Sequence, residues 1–311
     1  MSPPELVCLG EPMLEFNQQA PDEEGRVLYL EGFGGDTCNA AIAAARAGCR
    51  VAYVTAIGDD PAGRRFETLW AQEGVDASAV IRSTTHPTAV YFVTHGPAGH
   101  EFLYYRAGSA ASAITPRDVP EAMIRGARAL FVSGISQAIS ASAADAVFHA
   151  IAIARQAGCL VAYDTNYRAR LWPAARAAAV MHAAVAQSDI ALPSLEDAQM
   201  LTELQAPADI VNFYLGLGPR IVVLKLGAQG ALLGTPDGHT PIAPFPCRPV
   251  DGTGAGDTFC GNFLARLLAG DTPVEAARYA GAAAAMKTEG YGAIAPMPHA
   301  PRVLQALGRL R

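Results

Sequence analysis

The residues of this chain best suited to chemistry lie in Asp251-Gly252-Thr253-Gly254-Ala255-Gly256-Asp257-Thr258-Phe259. Three alternating glycines run into apolar residues at helical spacing, Phe259, Phe263, Leu264, Leu267 and Leu268, which predicts a turn before a helix N-terminus. The first turn of a helix presents unpaired N–H groups and a partial positive charge, and glycine lets an anion approach the backbone. That is a phosphate site. A carboxylate there is often only a dipole partner or cap, but an anion-binding turn needs no added negative charge. Asp257 therefore points to a base that meets an incoming nucleophile beside the phosphate. Other phosphate motifs fit badly: no Lys-Ser or Lys-Thr follows the glycines, and Asp257 stands where a dinucleotide fingerprint has its next glycine.

Three further groups bear on chemistry. Gly34-Gly35-Asp36-Thr37-Cys38-Asn39-Ala40 reads as a strand-to-helix turn, with Asp36 or Thr37 as cap of a helix through Ala47, Gly48 closing it and Asn39 in its first turn. Lys225 ends the apolar run Ile221–Leu224, and a lysine ending a buried strand must find a partner, for which a phosphate is well suited. Two segments supply cations, Tyr104-Tyr105-Arg106 and Asp164-Thr165-Asn166-Tyr167-Arg168. An arginine pairs with a carboxylate through two parallel hydrogen bonds, so these suit an acidic ligand rather than a neutral one.

The elements that must position these residues are legible in outline. Leu6–Gly10 reads as a buried first strand, Val51–Ile57 as another, and 63–72 as a helix. The runs 11–17, 26–33, 88–94 and 100–106 alternate, and the last two flank Gly96-Pro97-Ala98-Gly99, a hairpin signal. Together they predict a small sheet apart from the main one. From Ala129 onward, apolar runs ending near Ser133, Asp164, Leu192 and Lys225 alternate with alanine-rich helical stretches, as in a doubly wound, mostly parallel sheet. Ligands of such sheets bind outside the carboxyl ends of the strands, where Asp164, Lys225 and the 251–257 turn would fall.

Composition narrows the class. The chain has 311 residues, 51% hydrophobic and 17% charged, which suits one large α/β domain over 1–311 and excludes general disorder. A net charge of −6 without a Lys/Arg cluster argues against nucleic acid, and no run is long and apolar enough to span a bilayer. A cytoplasmic location is expected. The six cysteines form no Cys-x-x-Cys pair and read as reduced packing residues.

Residues 251–257 resemble the C-terminal signature of the PfkB, or ribokinase-like, carbohydrate kinases, and residues 34–40 the N-terminal one, so the resemblance covers essentially the whole chain. It implies an α/β fold with a doubly wound, mostly parallel central sheet flanked by helices, and a small β-sheet lid from roughly 11–35 and 87–108 that excludes water. It implies Gly34, Gly35 and Asn39 against the sugar and Asp257 as general base, with the N–H groups of Gly254, Ala255 and Gly256 holding phosphoryl charge. On this reading the helix N-terminus lowers the basicity of Asp257. Nucleotide contacts are implied at Lys225, Gly227 and Gly230, and at Ala283 in the 282–292 stretch flanking adenine. The cofactors implied are ATP and Mg²⁺. Many relatives carry Asn-x-x-Glu near the metal; here Ser194-Leu195-Glu196-Asp197 leaves Ser194 and Asp197 as the metal candidates. Asp251 is the candidate for a monovalent cation such as K⁺, as in some relatives.

Gly10-Glu11-Pro12, 33–37, 104–110 and Asn166-Tyr167-Arg168 followed by Leu171-Trp172 resemble the 2-keto-3-deoxygluconate kinase branch. That resemblance implies Gly34, Tyr91, Tyr104, Arg106, Ile135, Arg168 and Asp257 at the sugar and phosphate transfer to its 6-hydroxyl, giving 2-keto-3-deoxy-6-phosphogluconate. Kinases for fructose, ribose or 2-keto-3-deoxygalactonate are the alternatives, with Met13 disfavouring ribose. A non-catalytic sugar-binding protein is argued against by the intact Asp257 turn, and a nicotinamide oxidoreductase by the missing fingerprint. A homo-oligomer is expected, since open lid strands invite a second copy.

Overall fold

The computed structural model describes residues 3–96 and 99–308. Its strands are β1 (Leu6–Leu9), β2 (Met13–Gln18), β3 (Tyr29–Gly34), β4 (Val51–Val54), β5 (Ala56–Gly58), β6 (Ile81–Ser83) and β7 (Ala89–Gly96). They continue with β8 (Gly99–Tyr105), β9 (Ala129–Ser133), β10 (Leu160–Asp164), β11 (Ile190–Ala191), β12 (Ile221–Lys225), β13 (Ala231–Thr235) and β14 (Gly238–Ile242). The helices are α1 (Asp36–Arg46), α2 (Pro61–Glu73), α3 (Glu121–Gly126), α4 (Gly134–Ala138), α5 (Ala141–Gln156), α6 (Ala174–Val185), α7 (Leu195–Thr202), α8 (Pro207–Leu217), α9 (Ala255–Leu268), α10 (Pro273–Lys287) and α11 (Ala300–Gly308).

Strand β1 shows how the core is made. All four of its residues are buried, Leu6 and Cys8 in the apolar cluster on one face of the sheet, Val7 and Leu9 in that on the other. Side chains alternate along a strand, so a strand covered on both faces must be apolar throughout. The main sheet runs β14-β13-β12-β11-β10-β9-β1-β4; its members from β12 to β4 pair in parallel, while β13 and β14 are antiparallel. A second sheet, β3-β2-β7-β8, is the expected lid. Its β7–β8 hairpin pairs from Val90–Tyr105 to Gly96–Gly99; Pro97 and Ala98 of the expected turn lie outside the described residues.

Several expectations need correction. Residues 51–57 are not one strand: β4 joins the main sheet, while β5 turns away to pair with β6, its course set by the Ile81 N–H donating to the Thr55 carbonyl at 3.0 Å. The helix expected from Gly63 begins at Pro61, because Asp60 caps it through the Gly63 N–H at 2.7 Å and proline is pre-organised for a first turn. Neither Asp36 nor Thr37 caps α1; the N-cap is Gly35 at φ 104°, a backbone conformation that favours glycine.

The catalytically interesting contact is between helices. A Cβ at Gly261 of α9 would lie 2.1 Å from the Ala40 carbonyl oxygen of α1, so glycine there, with alanines opposite, lets the two helices approach closely. Their N-terminal turns thereby meet beside the carboxyl ends of β9, β10 and β12. No helix among the described residues is long and apolar enough to cross a membrane.

Candidate active site

Asp257 is the third residue of α9, whose N-cap is Gly254 at φ 74°. Its Oδ2 accepts from Asn39 Nδ2 at 2.8 Å, and its Oδ1 faces Asn166 Nδ2 at 3.5 Å; the same Asn166 group is 3.4 Å from Asp36 Oδ2. Asn166 is one of two described non-glycine residues at positive φ, 35°, a conformation asparagine tolerates better than most. The sequence presented Asn166 only as part of a motif; the structure puts its amide between two carboxylates.

Burial pushes the Asp257 carboxyl up to about 7, and the negative charges of Asp36 and Asp164 push the same way against the Asn39 hydrogen bond and Lys225. The expected lowering by the helix N-terminus is thus overturned. Loss of solvation and two neighbouring carboxylates outweigh one dipole, whose effect is typically about 0.3–1 kcal/mol.

Within the 251–257 turn, the three N–H groups are not equivalent. That of Ala255 donates to the Gly252 carbonyl at 3.1 Å, whereas those of Gly254 and Gly256 have no backbone acceptor among the described residues. Lys225 Nζ lies 3.6 Å from where a Gly256 Cβ would stand, so a cation flanks the turn as expected. Its Nζ pairs with Asp164 at 2.8 Å, with Cys260 Sγ at 3.4 Å. Burial drives the Cys260 thiol upward, as it does Cys38, so neither is primed as a nucleophile.

Buried polar atoms without a partner gather here: Asp36 Oδ1, Asn39 Oδ1, Asp164 Oδ1, Thr165 Oγ1 and Arg106 Nε. Such atoms are costly unless something binds them, and five in one region mark it as built for a polar ligand.

The remaining expected contacts divide. Ile135 is buried at the start of α4, which Ser133 caps at the end of β9. Gly35 is required by its φ and by the Glu11 carbonyl, 2.2 Å from a Cβ there; a Cβ at Gly34 would lie 2.5 Å from the Tyr91 hydroxyl. Packing within the protein thus already demands both glycines. Tyr91 is buried and its hydroxyl donates to Glu15, so it is a support inside the lid rather than an open contact; Tyr104 stacks on it at 5.7 Å and is partly exposed. Arg106 is likewise not a free cation: it is paired with buried Glu11, whose other oxygen takes the Ser109 hydroxyl at 2.6 Å. Arg168 is half exposed and only loosely paired, 4.0 Å from Asp197. Arg170 ties its turn to the lid, donating to the Phe102 carbonyl at 2.8 Å. Glu11 and Glu15 were missed because a lone carboxylate in an alternating strand looks like a solvent-facing residue.

One nucleotide expectation is at odds with the structure. Ala283 is fully buried among Tyr279, Met286 and Val303, where α11 covers it from contact with a ligand. Gly227 and Gly230 are in place beyond β12, both at positive φ, but Gly230 is needed by the backbone itself, with the Ile242 carbonyl 2.1 Å from a Cβ there. The two carboxylates among the metal candidates already accept hydrogen bonds from the protein. Asp197 accepts the Tyr167 N–H at 3.1 Å and faces Arg168, and Ser194 is the N-cap of α7. Asp251 is filled by its own loop: Oδ1 takes the Thr253 N–H and hydroxyl at 2.9 and 2.7 Å, and Oδ2 the Gly292 N–H at 2.8 Å. Among the described residues no group of three or more His, Cys, Asp or Glu is placed to hold a metal. Mg²⁺ held by one or two carboxylates and the phosphates it accompanies requires no such group.

A base at a helix N-terminus, unpaired N–H groups and a lysine beside it, and unfilled polar atoms opposite, is a site for moving a phosphoryl group onto a polar acceptor. Comparisons with known proteins agree. The family model described as pfkB family carbohydrate kinase matches residues 4–300. The 2-dehydro-3-deoxygluconokinase of Thermoproteus tenax is 35% identical over 287 residues, 90% of this chain and 87% of that protein. Fructokinase-1 of Zea mays is 32% identical over 317 residues, 97% of each chain. The crystal structure of a PfkB protein from Polaromonas sp. JS666 superposes with a TM-score of 0.88 at 30% identity, covering 97% of this chain and 99% of that one.

Proposed function

The chain belongs to the pfkB family of carbohydrate kinases, and we propose that its sugar is 2-keto-3-deoxygluconate, phosphorylated by MgATP on the 6-hydroxyl. The observation that carries the phosphoryl-transfer reading is Asp257, raised to about 7, at the N-terminal turn of α9 with Lys225 alongside. In this mechanism Asp257 takes the proton of the attacking hydroxyl, and Asn39 orients its carboxylate through the 2.8 Å hydrogen bond. The N–H groups of Gly254 and Gly256 hold the charge developing on the phosphoryl oxygens, and Lys225 leaves Asp164 to share it. Mg²⁺ bound with the nucleotide phosphates would neutralise their charge, and Asp197 in the first turn of α7 is the carboxylate that would help hold it.

The acid is supported by Arg168, the exposed and loosely paired cation of the turn after β10, and by the Thermoproteus tenax relative. Arg106 contributes through its unfilled Nε–H while Glu11 fixes its guanidinium. The Zea mays relative keeps fructose as the second reading. The two differ at one test: Arg168→Met should raise KM for the keto-deoxy acid at least about tenfold, the usual scale for losing a charge-assisted bond, and leave any turnover of fructose unchanged. Equal effects on both sugars would remove the acid from the account.

The assembly is proposed to be a homo-oligomer closed through the lid. Val27, Leu28, Tyr29 and Leu30 at or just before β3, and Leu103 and Tyr105 on β8, are exposed apolar residues at the two edge strands of the lid sheet, and open edges invite a partner.

A further inference from the structure

Lys287 ends α10 and is fully buried, yet no carboxylate lies within ion-pair distance of it among the described residues. Its Nζ donates to the backbone carbonyl of Asp251, 2.8 Å away, the first residue of the anion-binding turn. Buried lysines are rare unless compensated, so this one has a reason to be where it is. The loop around it is closed on itself. The N–H groups of Val250 and Asp251 both donate to the Thr288 carbonyl at 2.7 and 3.0 Å, and the Asp251 carboxylate binds Thr253 and Gly292. The charges that face the ammonium from the surrounding elements are those of Asp251, Glu15 of the lid and Asp257.

A monovalent cation held here would need the oxygens of Asp251 and the 288–292 loop. They do not fit it: the Asp251 carboxylate is taken by N–H and O–H donors, and its carbonyl by an ammonium that would repel a second positive charge. We infer that Lys287 is a built-in monovalent cation, an ammonium tethered to the carbonyl of the anion turn that positions the turn and makes the enzyme independent of K⁺. It acts through the turn and is a positioning residue, not a catalytic one. The inference rests on the phosphoryl-transfer reading of the turn, but not on which sugar is used.

The test has one arm on the unaltered enzyme and one on Lys287→Ala, each read by Tm without sugar and by ADP release with whichever sugar is accepted. At constant ionic strength, replacing K⁺ by the bulky tetramethylammonium ion should leave the unaltered enzyme's Tm unchanged and its turnover within about twofold, since nothing binds the folded form selectively. Lys287→Ala should lose at least about tenfold in turnover, the scale of removing one preorganised charge. K⁺ or methylammonium should restore that turnover saturably and raise the variant's Tm, with tetramethylammonium inert. Three results would each overturn the inference: an unaltered enzyme whose Tm or turnover depends on K⁺, a variant with full turnover without added cation, or a folded variant that no cation rescues. A variant that folds only with K⁺ or methylammonium present supports it. A variant that folds under no condition counts against a replaceable cation. The Tm arm uses no sugar, so a wrong sugar assignment leaves it standing.

Discussion

The Asp257 carboxylate sits at the positive end of α9, which by itself favours its ionised form, while burial and the charges of Asp36 and Asp164 disfavour that form more strongly. The pH dependence follows with a definite sign. A general base must be ionised, so kcat/KM should fall as pH drops below about 7, tenfold per unit, and Asp36→Asn should move that limb to lower pH. A pH profile whose acid limb is unmoved in the variant would remove Asp36 from the cause. Asp257→Asn should lower kcat by roughly 10² to 10⁴ while leaving nucleotide affinity nearly intact. The same shift acts on stability. Because the folded state holds this proton more tightly than the unfolded chain does, stability declines as pH rises from the ordinary carboxylate range through about 7. Asp257→Asn should therefore show a Tm advantage that grows between about pH 4 and pH 8, measurable by calorimetry; an advantage greatest at low pH would contradict the assignment.

Between elements, the site exists because α1 and α9 cross closely enough for Asn39 to reach Asp257. Gly261→Ala would place a methyl 2.1 Å from the Ala40 carbonyl, so the helices must separate, at a cost of about 1–3 kcal/mol. Turnover should fall as well, since displacements of about 1 Å at a reacting group can cost about 10²-fold. A variant with lowered Tm but unchanged kcat would mean that the helix contact stabilises without positioning. Much of this level was legible from sequence: the glycine turn into α9, the mostly parallel sheet and the lid strands all follow from local periodicity. What escaped was set by distant contacts. Gly35 rather than Asp36 or Thr37 is the N-cap of α1, at a φ of 104° and with the Glu11 carbonyl leaving no room for a Cβ there. Ala283 looks available until α11 folds over it. Lys287 ends the alanine-rich α10, and its burial against the Asp251 carbonyl is set by a loop distant in sequence. Arg106 looked like a substrate cation because its partner, Glu11, is distant in sequence.

At the scale of the whole molecule, Asp164 and Lys225 stand at the carboxyl ends of the interior strands β10 and β12, the anion turn lies beside Lys225, and the lid carries Tyr104 against Tyr91 and leads into Arg106. The exposed apolar residues at the lid's edge strands are expected to hold a second copy. Light scattering at micromolar protein should give a mass above 32.4 kDa, and Leu30→Lys combined with Leu103→Lys should reduce it to that of one chain. A monomer without substitution would overturn that assembly. The central claim, that the molecule phosphorylates a sugar acid, is tested most directly by kcat/KM for ADP release from MgATP. The substrates to compare are 2-keto-3-deoxygluconate, 2-keto-3-deoxygalactonate, fructose and ribose. The two keto-deoxy acids should be preferred over the neutral sugars by at least about tenfold, the discrimination expected from one carboxylate–arginine pair. A preference for fructose or ribose would contradict it, leaving Asp257 and its turn in place and removing Arg168 from substrate recognition.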